Sequence, residues 1–110
     1  MPKDTYLKTT LEFDDVRRRG RVWSDEWLVL ITNRNQRDVG RVGFAVGKRV
    51  GNAVTRNRIK RRLREVVRKA PRDSGWDLLI IARQGAASVD FCRLRRSVVE
   101  LFGRAGILSA

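Results

Sequence analysis

The sequence predicts one small α+β domain with three helices and with strands between them. Three observations support this fold class. The 110 residues fit a single domain, and the 42% that are hydrophobic can fill a modest core. Three segments place apolar residues at helical spacing, and the segments between them have the composition or the alternation of strands. Because no repeat, linker or low-complexity segment interrupts the pattern, residues 1–110 are predicted to form one domain.

Residues 9–20 are predicted to form the first helix. Thr9 and Glu12 have the spacing of a capping box, and Gly20 closes the helix after a basic last turn. The predicted apolar face is narrow and consists of Leu11, Phe13 and Val16. A helix with so small an apolar face must lie against a larger element.

The segment after this helix predicts strands. Residues 22–32 are rich in branched and aromatic side chains and form either one strand or two, with a break near Ser24 and Asp25. A polar loop follows over residues 33–40. Residues 41–46 alternate, with Val42, Phe44 and Val46 on one face and Gly43, Ala45 and Gly47 on the other. The second face has almost no side chains, so it either packs closely under a helix or forms a floor for an extended ligand.

Residues 48–72 carry most of the positive charge. They hold eleven Lys and Arg and one acidic residue, hence a net charge of +10 out of +13 for the chain. Asn52 is predicted to cap a helix that ends at Lys69. On a helical wheel of about 100° per residue, the apolar side chains share one sector and are Ile59, Leu63, Val66, Val67 and Ala70. The opposite sector holds Asn57, Lys60, Arg61, Arg64 and Arg68. Because like charges along one face repel one another, phosphate binding explains this face better than ordinary solvation does.

The last two elements are a strand and a helix. Residues 76–82 are almost continuously apolar, which predicts a strand that is buried on both faces. Ser88 is predicted to cap the final helix, and Cys92 is predicted to pack in it as a small apolar group. The apolar residues at helical spacing in this helix are Phe91, Leu94, Val98, Leu101 and Phe102.

Composition restricts the partners. Lys and Arg number 25 against 12 Asp and Glu, and the pI is near 11.5, so a nucleic acid is the predicted partner. The longest apolar run, residues 78–82, is far shorter than the ~20 residues of a membrane span, so no membrane partner is expected. The first residues lack the apolar stretch of a secretory signal, and the single cysteine cannot form an internal disulfide. A reducing cytoplasm is therefore the expected location.

Composition also restricts catalysis by the chain itself. The lack of histidine and the single cysteine exclude the usual tetrahedral zinc site, a Ser-His-Asp triad and a histidine pair for phosphodiester hydrolysis. The acidic pairs at 14–15 and 25–26 could form a metal site only through long-range assembly, because neighbours in sequence do not face one another. We expect these acids to be solvated surface groups, so no catalytic residue, metal ligand or protein-bound cofactor is predicted.

The segment from Arg41 to Glu65 closely resembles the signature of the protein subunit of bacterial ribonuclease P. Its centre is the motif Arg56-Asn57-Arg58, followed by Ile-Lys-Arg-Arg-Leu over 59–63. The resemblance extends to residues 12–16 with 18–20 and to residues 77–83, so it covers nearly the whole chain. It implies a two-layer α+β sandwich of order α-β-β-β-α-β-α, ribosomal-protein-like, with a left-handed βαβ crossover through the basic helix. The helices and strands predicted from the residues agree with this order.

The resemblance also implies a function. The family's protein does not cut RNA; the catalytic RNA holds the Mg²⁺ ions, together with the substrate, and removes the 5′ leader from precursor tRNA. The residues that would bind the catalytic RNA and the substrate near the cleavage site are Lys48, Arg49, Arg56, Asn57, Arg58, Lys60, Arg61, Arg64 and Arg68. The residues that would form a cleft for the single-stranded leader are Phe13, Arg17, Ile31 and Ala45.

Two of these cleft positions depart from the family's pattern. Arg17 stands where the family often has a second aromatic residue, and Ile31 stands where it often has a tyrosine. Leader binding is therefore expected to depend less on stacking, worth about 1–3 kcal/mol per base, and more on charge.

Two other functions compete with this interpretation. A structural ribosomal protein would have a similar size, charge and fold but would bind ribosomal RNA. An independent nuclease would have to use the acidic pairs, Asp14 with Asp15 and Asp25 with Glu26. Such a nuclease would cleave RNA with magnesium in the absence of any RNA subunit, and no such cleavage is expected.

Overall fold

A computed structural model describes residues 5–37, 39–70 and 72–108 and places three helices around one sheet. The helices are α1 (Thr10–Arg19), α2 (Ala53–Lys69) and α3 (Phe91–Ala105). The strands are β1 (Thr5–Tyr6), β2 (Arg21–Ser24), β3 (Leu28–Arg34), β4 (Arg41–Val46) and β5 (Trp76–Ala82). The predicted order α-β-β-β-α-β-α is confirmed, with the two-residue strand β1 added before α1. Residues 22–32 were predicted to form either one strand or two, and the structure has two, β2 and β3.

The five strands lie in the order β1-β4-β5-β3-β2. Strand β3 pairs antiparallel with both β2 and β5, and β4 pairs parallel with both β1 and β5. Neighbouring parallel strands need a long connection, and between β4 and β5 that connection contains α2. The basic helix is therefore the crossover of a β-α-β unit in the middle of the sheet.

The two faces of the sheet are covered unequally. Helices α2 and α3 form a layer on one face, and the main core there includes Leu30, Ile80, Leu63 and Phe102, each at most 1% exposed. This layer and the sheet form the predicted sandwich. The opposite face has a smaller cluster under α1, made of Leu7, Val16, Ile31 and Leu79. Since α1 has only 10 residues, part of this second face stays open.

Helix α1 begins with the predicted capping box. The Thr9 hydroxyl accepts a hydrogen bond from the Glu12 backbone N–H (3.1 Å), and the Glu12 carboxylate accepts one from the Thr9 N–H (3.0 Å). The assignment of Leu11 to the apolar face was wrong, because Leu11 is 81% exposed. At about 100° per residue, Leu11 lies roughly 200° from Phe13, so the two side chains cannot share one face.

Helix α3 begins later than predicted. Its N-cap is Asp90, whose carboxylate accepts a hydrogen bond from the Arg93 N–H (2.8 Å), whereas Ser88 ends a preceding 3₁₀ turn. The predictions that Ser88 caps the helix and that Cys92 packs in its core were wrong, since Cys92 is exposed. Cys92 precedes the fully buried Leu94 by two positions and therefore points away from the core.

An arginine connects α1 to the sheet. Arg41 and Asp77 are register partners on β4 and β5, and the Arg41 guanidinium donates to both Asp77 carboxylate oxygens, at 2.8 Å from Nε and 2.6 Å from Nη2. Its Nη1 donates to Glu12 at 2.6 Å. Hydrogen bonds from the backbone N–H groups of Lys8 and Thr9, and then the charge of Arg41, lower the pKa of Glu12. The ionised form of Glu12 therefore stabilises the fold.

Replacing Glu12 with glutamine should lower the melting temperature at about pH 7, and the deficit should disappear in acid. Because the folded pKa lies below the ordinary value of 4.5, the contribution of Glu12 is complete above that value and is lost as the pH falls through the folded pKa. Thermal unfolding of the wild type and Glu12→Gln at several pH values between about 7 and 2.5 measures this loss. A deficit in melting temperature that stays constant with pH would show that the charge of Glu12 is not the cause. The matched control is Glu100→Gln, at an exposed position on α3.

Candidate RNA interface

The two faces of α2 are those that the sequence predicts. Ile59, Leu63, Val66, Val67 and Ala70 are each at most 8% exposed and pack in the main core. Asn57, Arg61, Arg64 and Arg68 are exposed, and Arg56, Arg58 and Lys60 are half-buried. The apolar face holds α2 on the sheet, so the basic face has a fixed position and needs no ligand to order it.

Acidic partners for this basic face are concentrated at one end. Glu65 pairs with Arg68 at 2.6 Å and with Lys69 at 3.0 Å, and hydrogen bonds from these two cations lower the pKa of Glu65. Among the described residues, the cations in the amino-terminal part of α2 have no carboxylate within 4 Å. Positive charge is therefore least neutralised from Arg56 to Arg64, and Arg68 is the member of the predicted set that the protein itself neutralises.

Two arginines of the central motif have donors without acceptors. The Nε atoms of Arg56 and Arg58 are buried and have no hydrogen-bond partner within the described part of the chain. A buried N–H without an acceptor is costly, and most such groups in folded proteins are paired. An acceptor from a ligand, such as a phosphate oxygen, would satisfy these groups.

A short turn places two more cations beside the start of α2. Lys48 and Arg49 are exposed on the 3₁₀ turn Lys48–Val50, which directly follows β4, and Val50 is 8% exposed and anchors the turn in the core. The predicted Asn52 cap is confirmed, because its side chain accepts from the Thr55 N–H at 2.9 Å. Cations at this end of α2 oppose the helix dipole, which is a further sign that an anion belongs there.

The open part of the second sheet face is a row of apolar side chains. Val29 pairs with Ile81 across β3 and β5, and Ile81 pairs with Ala45 across β5 and β4; all three are half-buried. Ile31, predicted to lie on the cleft floor, is 5% exposed and packs in the cluster beneath α1, so it supports the floor from within. The side chains of Val29 and Ile81 form the surface of the floor in place of Ile31. They were not identified from the sequence, because only the register of β3 and β5 places the two side chains next to each other.

Phe13 on α1 packs against the same cluster as this row. Phe13 is half-buried, and its ring lies so close to Gly43 that a Cβ on Gly43 would come within 2.8 Å of the Phe13 Cζ atom. Arg17 is exposed one turn further along, and both line an open concavity at the surface of α1. Of the two alternatives for the bare face of β4, Gly43 serves close packing and Ala45 belongs to the floor.

The basic turn and the cleft meet at the carboxyl ends of β4 and β5. A concavity of about 430 Å³ lies at this edge and is lined by Gly47, Lys48, Arg49, Val50, Ile81, Ala82, Arg83 and Gln84. Ile81 belongs to the cleft floor, whereas Lys48 and Arg49 belong to the predicted RNA-binding set. Arg83, which the sequence did not single out, adds a third cation and donates to the Asp25 carbonyl at 3.1 Å. The structure thus brings the two predicted sites together into one continuous surface.

Two of the four acids that an independent nuclease would need, Asp15 and Asp25, have contacts with other groups of the protein. Asp25 accepts hydrogen bonds from the N–H groups of Trp27 (2.9 Å) and Leu28 (2.8 Å) and a short one from the Ser97 hydroxyl, and Asp15 pairs with Arg19 at 3.0 Å. Within residues 5–37, 39–70 and 72–108, no group of three or more His, Cys, Asp or Glu side chains could hold a metal ion. In the same part of the chain, every helix is too short or too polar to cross a membrane.

Comparisons with known proteins agree on one family. The sequence model of the family Ribonuclease P matches residues 1–106. The curated ribonuclease P protein component from Roseiflexus sp. (strain RS-1) is 44% identical to this chain, and the match covers 94% of this chain and 88% of that protein. The one from Symbiobacterium thermophilum is 45% identical, and the match covers 98% of this chain and 96% of that protein. The RNase P protein of Staphylococcus aureus superposes with a TM-score of 0.87 at 30% identity, over 97% of this chain and all of that one. The RNase P protein from Thermotoga maritima superposes with a TM-score of 0.81 at 28% identity, over 90% of this chain and 96% of that one.

Replacing Gly43 with alanine should destabilise the fold by about 1–3 kcal/mol, the usual cost of overpacking. The new Cβ would meet the Phe13 ring at 2.8 Å and the Leu7 side chain at 3.0 Å. Gly47→Ala is the matched control, because a Cβ at Gly47 has nothing within 4 Å. Urea unfolding of both variants measures the difference, and equal stabilities would show that the Phe13 ring does not rest on Gly43.

Proposed function

This chain belongs to the ribonuclease P family as a protein component, and we propose from that premise how it serves the holoenzyme. In this proposal the basic face of α2, with Lys48 and Arg49, binds the ribonuclease P RNA, and the cleft beside α1 binds the 5′ leader of precursor tRNA. Membership makes the chain an RNA-binding, tRNA-processing subunit of an endoribonuclease ribonucleoprotein. The same match, over residues 1–106, removes the reason to prefer a structural ribosomal protein.

The observation that carries the proposal is the unneutralised basic face. Arg56 and Arg58 have buried Nε donors without partners, and Arg61 and Arg64 are exposed without carboxylates nearby in the described part of the chain. RNA phosphates supply both the charge and the acceptors that this face needs. Each phosphate contact releases counterions, so the affinity for RNA falls as salt is added. In a plot of the logarithm of the binding constant against the logarithm of the salt concentration, each contact contributes a slope of about −0.7 to −0.9.

The cleft suits an extended single strand. Its floor is the half-buried row of Val29, Ile81 and Ala45. Three cations, Lys48, Arg49 and Arg83, line the concavity that contains Ile81, and the exposed Arg17 lies on α1 one turn after Phe13. Within the described residues, Phe13 is the only aromatic side chain of the cluster under α1. The leader is therefore held mainly through its phosphates, with one base at most stacked on Phe13, and base preference along the leader is weak.

The protein acts on the reaction by positioning and by charge. Mg²⁺, held mainly by the RNA subunit and the substrate, would activate the water that cleaves the phosphodiester bond. In this proposal the described residues contribute no catalytic group to that step. It lowers the repulsion between two polyanions and fixes the leader, so the RNA binds productive Mg²⁺ at lower concentration. This assembly works in the cytoplasm, where precursor tRNA is processed.

Reconstitution with the cognate ribonuclease P RNA tests the proposed function. At physiological Mg²⁺, adding the chain should increase the rate of 5′-leader removal from precursor tRNA, and Arg61→Ala should require more protein for the same rate. Arg61 is exposed, so this variant should keep its stability within ~0.5 kcal/mol. A rate that is the same with and without the chain would refute the proposal.

Two controls accompany this assay. The chain without RNA should not cleave precursor tRNA, and cleavage by it would revive the nuclease interpretation. Leu63→Ala, at a fully buried position on the same helix, should lose ~2–5 kcal/mol of stability. It shows what a folding defect looks like in the assay, as distinct from a lost phosphate contact.

Replacing Phe13 with leucine tests the cleft. Leucine keeps apolar cover over Gly43 but removes the aromatic face, so the holoenzyme should bind precursor tRNA with a leader more weakly by up to ~1–3 kcal/mol. Its affinity for mature tRNA should hardly change, because mature tRNA has no leader. Equilibrium binding of both ligands measures the contrast. If the two affinities fall together, Phe13 belongs to the core and the leader site rests on the cations alone.

A further inference from the structure

Tyr6 is the one aromatic side chain that is exposed within the described residues. It is 45% exposed, and it is also the only tyrosine of the chain. Strand β1 holds it in place, since Tyr6 pairs with Val42 of β4 and the Leu7 N–H donates to the Val42 carbonyl at 2.9 Å. The backbone beneath this aromatic group is therefore part of the sheet.

The Tyr6 ring lies against the basic face of α2. The guanidinium carbon of Arg64 is 5.6 Å from the ring centroid, within the range of a cation–π contact. On another side the ring contacts Phe44, with the centroids 6.5 Å apart and the planes at 50°. Arg64 is itself exposed, so an arginine and an aromatic ring face solvent side by side.

This position is separate from the leader cleft. Tyr6 stands beside Val42, whose side chain lies in the main core on the α2–α3 face of the sheet. Phe13 and Ala45 belong to the cluster on the opposite face. Tyr6 is therefore on the α2 side of the sheet, whereas the floor of the cleft is on the opposite side.

Packing alone is a weak explanation for Tyr6. A ring that served only to cover Phe44 would bury more of its own surface, because apolar area left in water contributes nothing to the hydrophobic free energy. An exposed aromatic ring beside an arginine is a common arrangement for holding an unpaired nucleotide. The base stacks on the ring and the arginine binds the adjacent phosphate or stacks in turn.

We propose that Tyr6 and Arg64 form a stacking site for an unpaired base of the structured RNA bound by α2. The inference rests on the proposed function and extends it, because it adds a base contact to a surface otherwise made of phosphate contacts. It also assigns a role to β1, which carries an aromatic group to the edge of the basic face.

Binding of ribonuclease P RNA to Tyr6→Leu and Tyr6→Phe, measured at several salt concentrations, tests this site. Leucine covers Phe44 but offers no aromatic face, so the affinity of this variant for the RNA should fall by about 5- to 140-fold, the equivalent of one base stack. Phenylalanine should bind within about twofold of the wild type. Because Tyr6→Leu changes no charge, its log–log salt slope should equal that of the wild type, whereas Arg64→Ala should lower the slope by about one contact.

Three outcomes would overturn the stacking site. If Tyr6→Leu binds ribonuclease P RNA as tightly as the wild type does, the Tyr6 ring serves only to pack against Phe44. Tyr6→Leu with a changed salt slope would mean that the ring acts by positioning Arg64. A holoenzyme with Tyr6→Leu that loses its preference for precursor over mature tRNA would assign the contact to the leader. A wild-type chain that does not bind the RNA refutes the proposed function itself, so the two failures are distinguishable.

Discussion

The guanidinium of Arg41 is the contact on which the rest of the second sheet face depends. Its partner Asp77 is only 2% exposed, and a buried carboxylate without a cation would cost several kcal/mol. The bidentate pairing satisfies both oxygens, and the pairing with Asp77 in turn raises the pKa of Arg41. The third nitrogen of the guanidinium reaches Glu12, and Asn35 donates to Asp77 at 2.8 Å. One buried charge pair thereby fixes two strands, the β3–β4 loop and the first turn of α1.

This anchor decides where the cleft lies. Arg41 and Asp77 stand at the first position of β4 and near the start of β5, so α1 is held toward that end of the sheet. Gly43, two residues along β4, lets the Phe13 ring approach the backbone. The following row at Ala45, Ile81 and Val29 lies beyond the helix and stays half-buried. An open apolar floor thus results from fastening a short helix at one end of a longer face.

Charge organises the other face differently. The apolar side of α2 fixes the helix without help from its basic side chains, and within the described residues Glu65 neutralises only the carboxyl-terminal end. A row of like charges destabilises an isolated protein. In the proposed complex RNA would reverse this cost, since every phosphate that binds would replace a repulsion with an attraction. The apolar side of α2 therefore supplies stability and the basic side the proposed RNA contacts, so mutations should be able to alter the two separately.

The sequence by itself determined the features that depend on neighbours within one turn or one strand. Capping by Thr9 and Asn52, the two faces of α2 and the alternation of β4 follow from local periodicity, and the Arg56-Asn57-Arg58 motif indicated the family. Local reasoning failed where it ignored geometry, as at Leu11 and Cys92, or chose the wrong cap, as at Ser88. Only the tertiary structure decided which side chains meet across the sheet. The row of Val29, Ile81 and Ala45, the position of Arg83 and the contact of Tyr6 with Arg64 depend on contacts between residues 36 to 58 positions apart. Strand register and helix docking set such contacts through the packing of the whole core, and no local pattern in a single sequence records them.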